Sequence, residues 1–136
     1  METLTVQTKK KYELVDLTEQ LAALVEKTLN KSGIVLVFVP HTTATLICNE
    51  AEANLKSDIL KLAKALEENA EFFGGFAHDY QEGNAHAHLV SAFAGNSRTL
   101  IIEDGQLKLG AWQSIMLLEM DGPRERQVWI KIISSS

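Results

Sequence analysis

Six apolar residues in a row, Ile34 to Val39 (IVLVFV), constrain this chain more than any other feature. A short, β-branched run of this kind reads as a central strand buried on both faces, so the rest of the fold must supply cover for it. Upstream, ETLTVQT alternates with period two, and KYELVDL reads as a second strand or its continuation. Asp16 and Glu19 have capping-box spacing, after which Leu17, Leu21, Leu24, Val25 and Leu29 share one helical face and Gly33 ends the helical region. Downstream, HTTATLICNE reads as extended. A helix follows through NLKSDILKLAKALEEN, with Leu55, Ile59, Leu62, Ala63 and Leu66 at helical spacing. RTLIIEDGQLKLG reads as two strands joined at Asp104-Gly105. AWQSIMLLEM and RQVWIKII read as a final strand pair around DGPR, and the terminal serines as a frayed end.

Strands at both ends and helices in the middle predict an α+β fold: a mostly antiparallel or mixed sheet with helices on one face. At 136 residues the chain is one domain by length, spanning 1–136. Several strands carry apolar residues on both faces, whereas helices on one side can cover only one. Neighbouring subunits are the natural second layer, which predicts a homo-oligomer.

A formal charge of −5 opposes nucleic-acid binding, because a phosphate backbone calls for a basic surface. No apolar run reaches the roughly 18–20 residues that span a bilayer. The N-terminus alternates rather than presenting an apolar signal core, so the expected location is cytoplasmic. The one cysteine, Cys48, cannot form an internal disulfide. Set among apolar residues, it reads as a small core-filling side chain rather than a nucleophile paired with His41.

Of four histidines, three fall in HDYQEGNAHAH: His78, His86 and His88. As a strand, this region would point His86 and His88 the same way. The punctuation is helical instead, with Asn84 as N-cap and Gly95 past the end. Two helical positions are rotated by roughly 200°, so the two imidazoles diverge. His88, beside Leu89, Ala92 and Phe93, is expected inward, and His86 toward solvent or the rim. His78 lies in an irregular loop, and His41 follows the central strand and a proline. Convergence of His41, His78 and His88 would meet the ligand count of a catalytic zinc site, with Asp79 as a substitute ligand or an outer-shell partner. The competing reading is a set of ordinary hydrogen-bonding histidines.

Other candidates carry equally plain alternatives. Asn49 is a helix cap or a site residue, and Glu50 a first-turn carboxylate or a general base. Trp112 and Gln113 fill a strand or grip a flat ligand. Arg124 is a turn arginine or an anion ligand. The helix N-terminus at Asn84 offers backbone N–H groups to a phosphate.

Taken together, HTTATLICNEAEAN, NAHAHLVSAFAG, IIEDGQLKLGAWQSIMLLEMDGPR and the last strand resemble the YjbQ family, also described as secondary thiamine-phosphate synthases. The resemblance runs in order from about Gly33 to Ile133 and implies a compact fold assembled as a trimer. The family's His-Thr-Thr/Ser-Ala motif falls on His41, Thr42, Thr43 and Ala44, and its Asn-Glu on Asn49 and Glu50. His78 matches the histidine before the acidic loop, and Ala87, His88 and Leu89 match Ala-His-Leu. Gly110, Trp112 and Gln113 match Gly-x-Trp-Gln, and Glu119 matches the glutamate before Asp-Gly-Pro-Arg. This sequence has NEAEAN where a proline-containing form is common.

The implied activity joins a pyrimidine diphosphate to a thiazole phosphate, releasing pyrophosphate, and is regarded as secondary. A β/α barrel of about 200 residues or more, the fold of the main thiamine-phosphate synthases, does not fit in this chain. Such a reaction needs the leaving pyrophosphate neutralised by a divalent metal (zinc or magnesium), a helix N-terminus and Arg124, with Trp112 and Glu119 shielding a developing cation. The alternatives are a metal-dependent hydrolase of a small phosphorylated substrate and a non-catalytic metal or small-ligand binder.

Overall fold

The computed structural model describes residues 1–80 and 82–135. Among them the chain forms β1 (Glu2–Gln7), β2 (Glu13–Asp16), α1 (Thr18–Lys27), β3 (Ser32–Phe38), β4 (Ala44–Asn49), α2 (Ala53–Glu68), α3 (Ala85–Ala94), β5 (Ser97–Glu103), β6 (Gln106–Lys108), β7 (Ser114–Glu119) and β8 (Glu125–Ser134). Two 3-10 turns, Ala70–Phe73 and Ala77–Tyr80, link α2 to α3. The α+β expectation holds, with the strands divided between two antiparallel sheets. One has the order β1-β8-β3-β5-β6 and the other β2-β7-β4.

The division corrects the expected final hairpin. β7 pairs with β2 and β4, while β8 pairs with β1 and β3, so the chain changes sheets at DGPR. The inner faces of the two sheets meet in the main core, where Val35, Val37, Leu100, Val128 and Ile130 face Leu46, Ile115 and Leu117, with Leu21 and Val25 of α1 alongside. The opposite face of the smaller sheet packs Leu118 against Ala63 of α2 and Ala87 of α3. The smaller sheet is therefore the middle layer, and β7 is buried along nearly its whole length.

β3 is central as expected, but within one chain it is covered on one face only. Val35 and Val37 are fully buried, whereas Ile34 is 38% exposed and has exposed Ile101 and Ile133 as its two cross-strand neighbours. α1 is started by Asp16, whose Oδ1 accepts from the backbone N and hydroxyl of Thr18. It stops at Lys27 and leaves through Leu29 at φ 59°, so Gly33 lies inside β3 and not at the helix end. Asp104 and Gly105 both have positive φ, the geometry of the tight hairpin that joins β5 to β6. Ser135 pairs with Ser32 through backbone and hydroxyl, so the end is not frayed there; Ser136 lies outside the described residues.

One buried ion pair joins the two sheets. Glu119, at the end of β7, is fully buried, and Arg126 of β8 is 4% exposed. Arg126 Nε donates to Glu119 Oε1 at 2.8 Å and Nη2 to Oε2 at 2.5 Å. Thr8 donates to Oε1, the backbone N–H groups of Met120 and Asp121 donate to Oε2, and Arg126 Nη2 also reaches Thr43 Oγ1. Burial alone would raise the Glu119 carboxyl, but the bonds from Arg126 and Thr8 outweigh it and hold the group below the ordinary glutamate value. Its contribution is therefore complete above the unfolded value of 4.5 and is lost as pH falls through the lower folded value. Arg126→Met strands a buried carboxylate and is expected to cost about 3–5 kcal/mol in urea unfolding at pH 7; a loss under about 1 kcal/mol would show that the pair does not tie the sheets.

Candidate active site

His41, Thr42 and Thr43 form the short link from β3 to β4, at the edge where the two sheets separate. Facing them is α3, whose Asn84, His88 and Ser91 recur at i, i+4 and i+7 and so line one side of the helix. Two adjoining cavities lie between, of about 380 and 340 Å³, and both are bounded by His41, Thr42 and His88. The first continues past Ser91, Ala92, Gly95 and Asn96. The second continues past Glu82 and Asn84 to Asp121, Arg124 and Arg126. A further cavity of about 390 Å³ lies beside His78, Phe76 and Leu89 and is also bounded by His88.

His41 Nε2 accepts the backbone N–H of Gln127 at 2.9 Å, so in the neutral ring Nδ1 carries the proton. Burial, and then the charge of Arg126, lower its pKa below 6.5. Arg124 donates to the backbone carbonyl and carboxylate of Asp121, and Asn84 Nδ2 donates to the same Asp121 oxygen and to Glu82. Burial would raise Asp121, but the bond from Asn84 and the charge of Arg124 prevail and keep it below its usual value.

The two helical histidines do diverge, but the expected directions are reversed in part. His86 is 1% exposed. Its ring lies 5.7 Å from Tyr12, its Nε2 is 3.3 Å from the Met120 carbonyl and its Nδ1 is 3.7 Å from Glu67. The cause is Glu67 on α2, which also accepts from Tyr12 and Lys11 and gives the buried imidazole a polar surrounding. Burial and the Glu67 carboxylate together push the Tyr12 phenol well above its ordinary range. His88 is half-buried on the cleft side.

One N–H at the helix N-terminus is already taken. Asp79 Oδ1 accepts the Ala85 N–H at 2.8 Å, while the Asn84 side chain makes no cap bond. Asp79 is therefore the cap rather than a ligand. The three-histidine metal set also fails to close. His78 and His88 lie with ring centroids 4.6 Å apart, but His41 commits Nε2 to Gln127. Among the described residues, no three His, Cys, Asp or Glu side chains stand together at metal-binding distance.

The remaining expected residues sit elsewhere. In the β4–β7 ladder Ala44 pairs with Glu119 and Asn49 with Ser114, which places Asn49 and Glu50 about 17 Å from the cleft end. Gly110, Trp112 and Gln113 form the turn that enters β7 at that far end, not a strand. Gln113 closes the turn by accepting the Gly110 N–H at 2.7 Å, leaving Trp112 75% exposed. Within one chain these five residues line neither cleft cavity.

Sequence reasoning missed Ser91, Glu82, Asp121 and Arg126. Arg126 had a readable signal: it shares its strand face with Val128 and Ile130, and an arginine in an apolar stripe requires a buried partner. Ser91 is one turn from His88, but a helical serine carries no signal by itself.

A model of UPF0047 protein YjbQ-like matches residues 2–135. A UPF0047 protein of Archaeoglobus fulgidus is 42% identical over 130 residues, covering 96% of this chain and 98% of that one. UPF0047 protein YugU of Bacillus subtilis is 36% identical, covering 98% of each. The crystal structure of a YbjQ-like protein from Sulfolobus solfataricus P2 superimposes with a TM-score of 0.91 at 40% identity, covering 98% of this chain and 96% of the other. Similarity over essentially the full length, in sequence and in fold, shows that this chain belongs to the YjbQ-like UPF0047 family.

Proposed function

We propose that this protein is a transferase of the thiamine-phosphate-synthase type, joining a pyrimidine diphosphate to a thiazole phosphate with release of pyrophosphate. The observation that supports this reading is the double cavity, whose two compartments share His41, Thr42 and His88. A reaction between two small molecules needs each held separately with the reacting atoms at a common wall. A hydrolase of one phosphorylated substrate would need a single compartment and a water.

In this reading Arg124 and the Nδ1–H of His41 meet the departing anionic group. His88, which bounds both compartments, is the residue placed to exchange a proton with either ligand. No step is assigned to a metal at the histidines, since their donor set does not close. Trp112, Gln113, Asn49 and Glu50 take part only if a neighbouring subunit carries them to the cleft. The uncovered apolar face around Ile34, Ile101 and Ile133 supports assembly as a homo-oligomer, and the trimer is the order that the family resemblance implies. Among the described residues, no helix is long and apolar enough to cross a membrane, and a cytoplasmic site of action belongs to the same proposal.

Incubation with the pyrimidine diphosphate and thiazole phosphate, with and without divalent metal, is expected to yield thiamine phosphate and pyrophosphate in equal amounts. His41→Ala and His88→Ala should each lower kcat/KM by about 10²–10⁴-fold, and unchanged rates in both would refute the assignment. Phosphate release from one substrate alone, with no joined product, would favour the hydrolase.

Because the folded pKa of His41 lies below 6.5, the unfolded chain takes up its proton first on acidification. The ring's contribution to stability is complete above 6.5 and is lost as pH falls toward the folded value. Nitrogen-15 spectra should show His41 as the Nδ1–H tautomer at pH 7.5, titrating below 6.5; the Nε2–H tautomer would remove its role as a donor. For the assembly, sedimentation equilibrium should report a trimer that Ile101→Lys dissociates, and a monomeric wild type would exclude it.

A further inference from the structure

The cavity beside His78 differs in chemistry from the two that make up the cleft. It encloses about 390 Å³ and is walled by Phe76, Ala85 and Leu89, with the imidazoles of His78 and His88 as its polar groups. An apolar hollow of this size with a few convergent polar groups has the make-up of a small-molecule site. The compartment next to it is instead charged, bounded by Glu82, Asp121, Arg124 and Arg126. His88 belongs to both, and the consecutive residues Asn84 and Ala85 stand one in each. A ligand with a ring at one end and a charged group at the other can therefore reach across His88 with each end in matching surroundings.

The wall of the hollow is held in place from two sides. Gly74 and Gly75, both at positive φ, turn the chain, and the Phe76 ring stacks on Phe73 at 5.6 Å. The turn Ala77–Tyr80 that follows is tied to α3 by Asp79, which accepts the Ala85 N–H. His78 and His88 meet edge to face, their planes at 77°. Among the described residues, neither imidazole has a hydrogen-bond partner. Aromatic and aliphatic walls suit the faces of a flat ring, and free imidazole nitrogens suit donors and acceptors on its edge. An aliphatic group seated there would cover those nitrogens without pairing them, whereas a nitrogen heteroaromatic ring can pair them.

We propose that this hollow binds the nitrogen heteroaromatic ring of a phosphorylated substrate, with Phe76 as the residue that selects for the ring, while the anionic end of the substrate lies past His88 beside Arg124. The identity of that ring as the pyrimidine rests on the transferase reading. The carbon that joins ring to phosphate then lies at His88, facing the compartment of Ser91 and Asn96, which is left for the thiazole phosphate.

The pyrimidine monophosphate, which has no pyrophosphate to release, is the probe, titrated calorimetrically without the second substrate. Phe76→Ala is expected to weaken its binding by about tenfold or more. Phe76→Leu, which keeps the wall apolar but removes the aromatic face, should act in the same direction. Binding of the thiazole phosphate to both variants should be unchanged, which separates loss of the ring site from loss of the fold. Phe93→Ala, at an exposed aromatic that bounds none of the three cavities, should change neither. A wild type that does not bind the monophosphate, or Phe76 variants that bind it as well as the wild type, overturn the proposal, as does an equal loss for the thiazole phosphate. Ring binding that depends on Phe76 without thiamine phosphate formation retains the hollow and removes the transferase. Product formation with unchanged binding in the Phe76 variants does the reverse.

Discussion

The architecture depends on one buried contact, the ion pair of Glu119 and Arg126. β7 and β8 are consecutive in the chain but belong to different sheets, so no ladder of backbone bonds connects them. The pair bridges that gap. Four further donors or acceptors around it, from Thr8, Thr43, Met120 and Asp121, bring β1 and the start of β4 to the same point. A buried pair of this kind adds little net stability over an apolar substitute, but removing either partner is severe. Its role is to fix the position of one sheet relative to the other.

That geometry places the cleft. Loops leaving β3 and β7 emerge directly above the pair, carrying His41 to Thr43 on one side and Asp121 to Arg124 on the other. α3 then lies across the opening with Asn84, His88 and Ser91 facing it. The charge at the bottom of the cleft is thus a by-product of the contact that sets the fold. Arg126 serves both, since it neutralises Glu119 and contributes to the cleft lining and to the lowered pKa of His41.

Much of the fold was legible because period and punctuation are local. The alternation of β1, the apolar run of β3, the Asp104-Gly105 turn and the extent of α3 all appear where the residues place them. The division into two sheets was not legible, because partner choice for β7 and β8 depends on a contact between a glutamate and an arginine in separate strands. The site shows the same limit. His41 and His88, both named from sequence, line one cleft, but the direction of His86 depended on Glu67 in another helix. The separation of Trp112 from His41 depended on β4–β7 register. No single stretch of sequence encodes either relation.

The helical layer is held differently from the sheets. Its shared core with the smaller sheet is small, centred on Tyr12, Ala63, Ala87, Leu118 and Met120, and much of its grip comes from the polar group of Glu67, Tyr12 and His86. α2 even leaves Leu62 76% exposed. A layer with so little apolar contact opens at lower free energy than the sandwich beneath it. The cleft therefore lies on a boundary between two units of unequal cooperativity, with His41 anchored in the rigid one and His88 carried by the looser one. Partial detachment of the helices, with the sheets intact, would widen the cleft without a hinge.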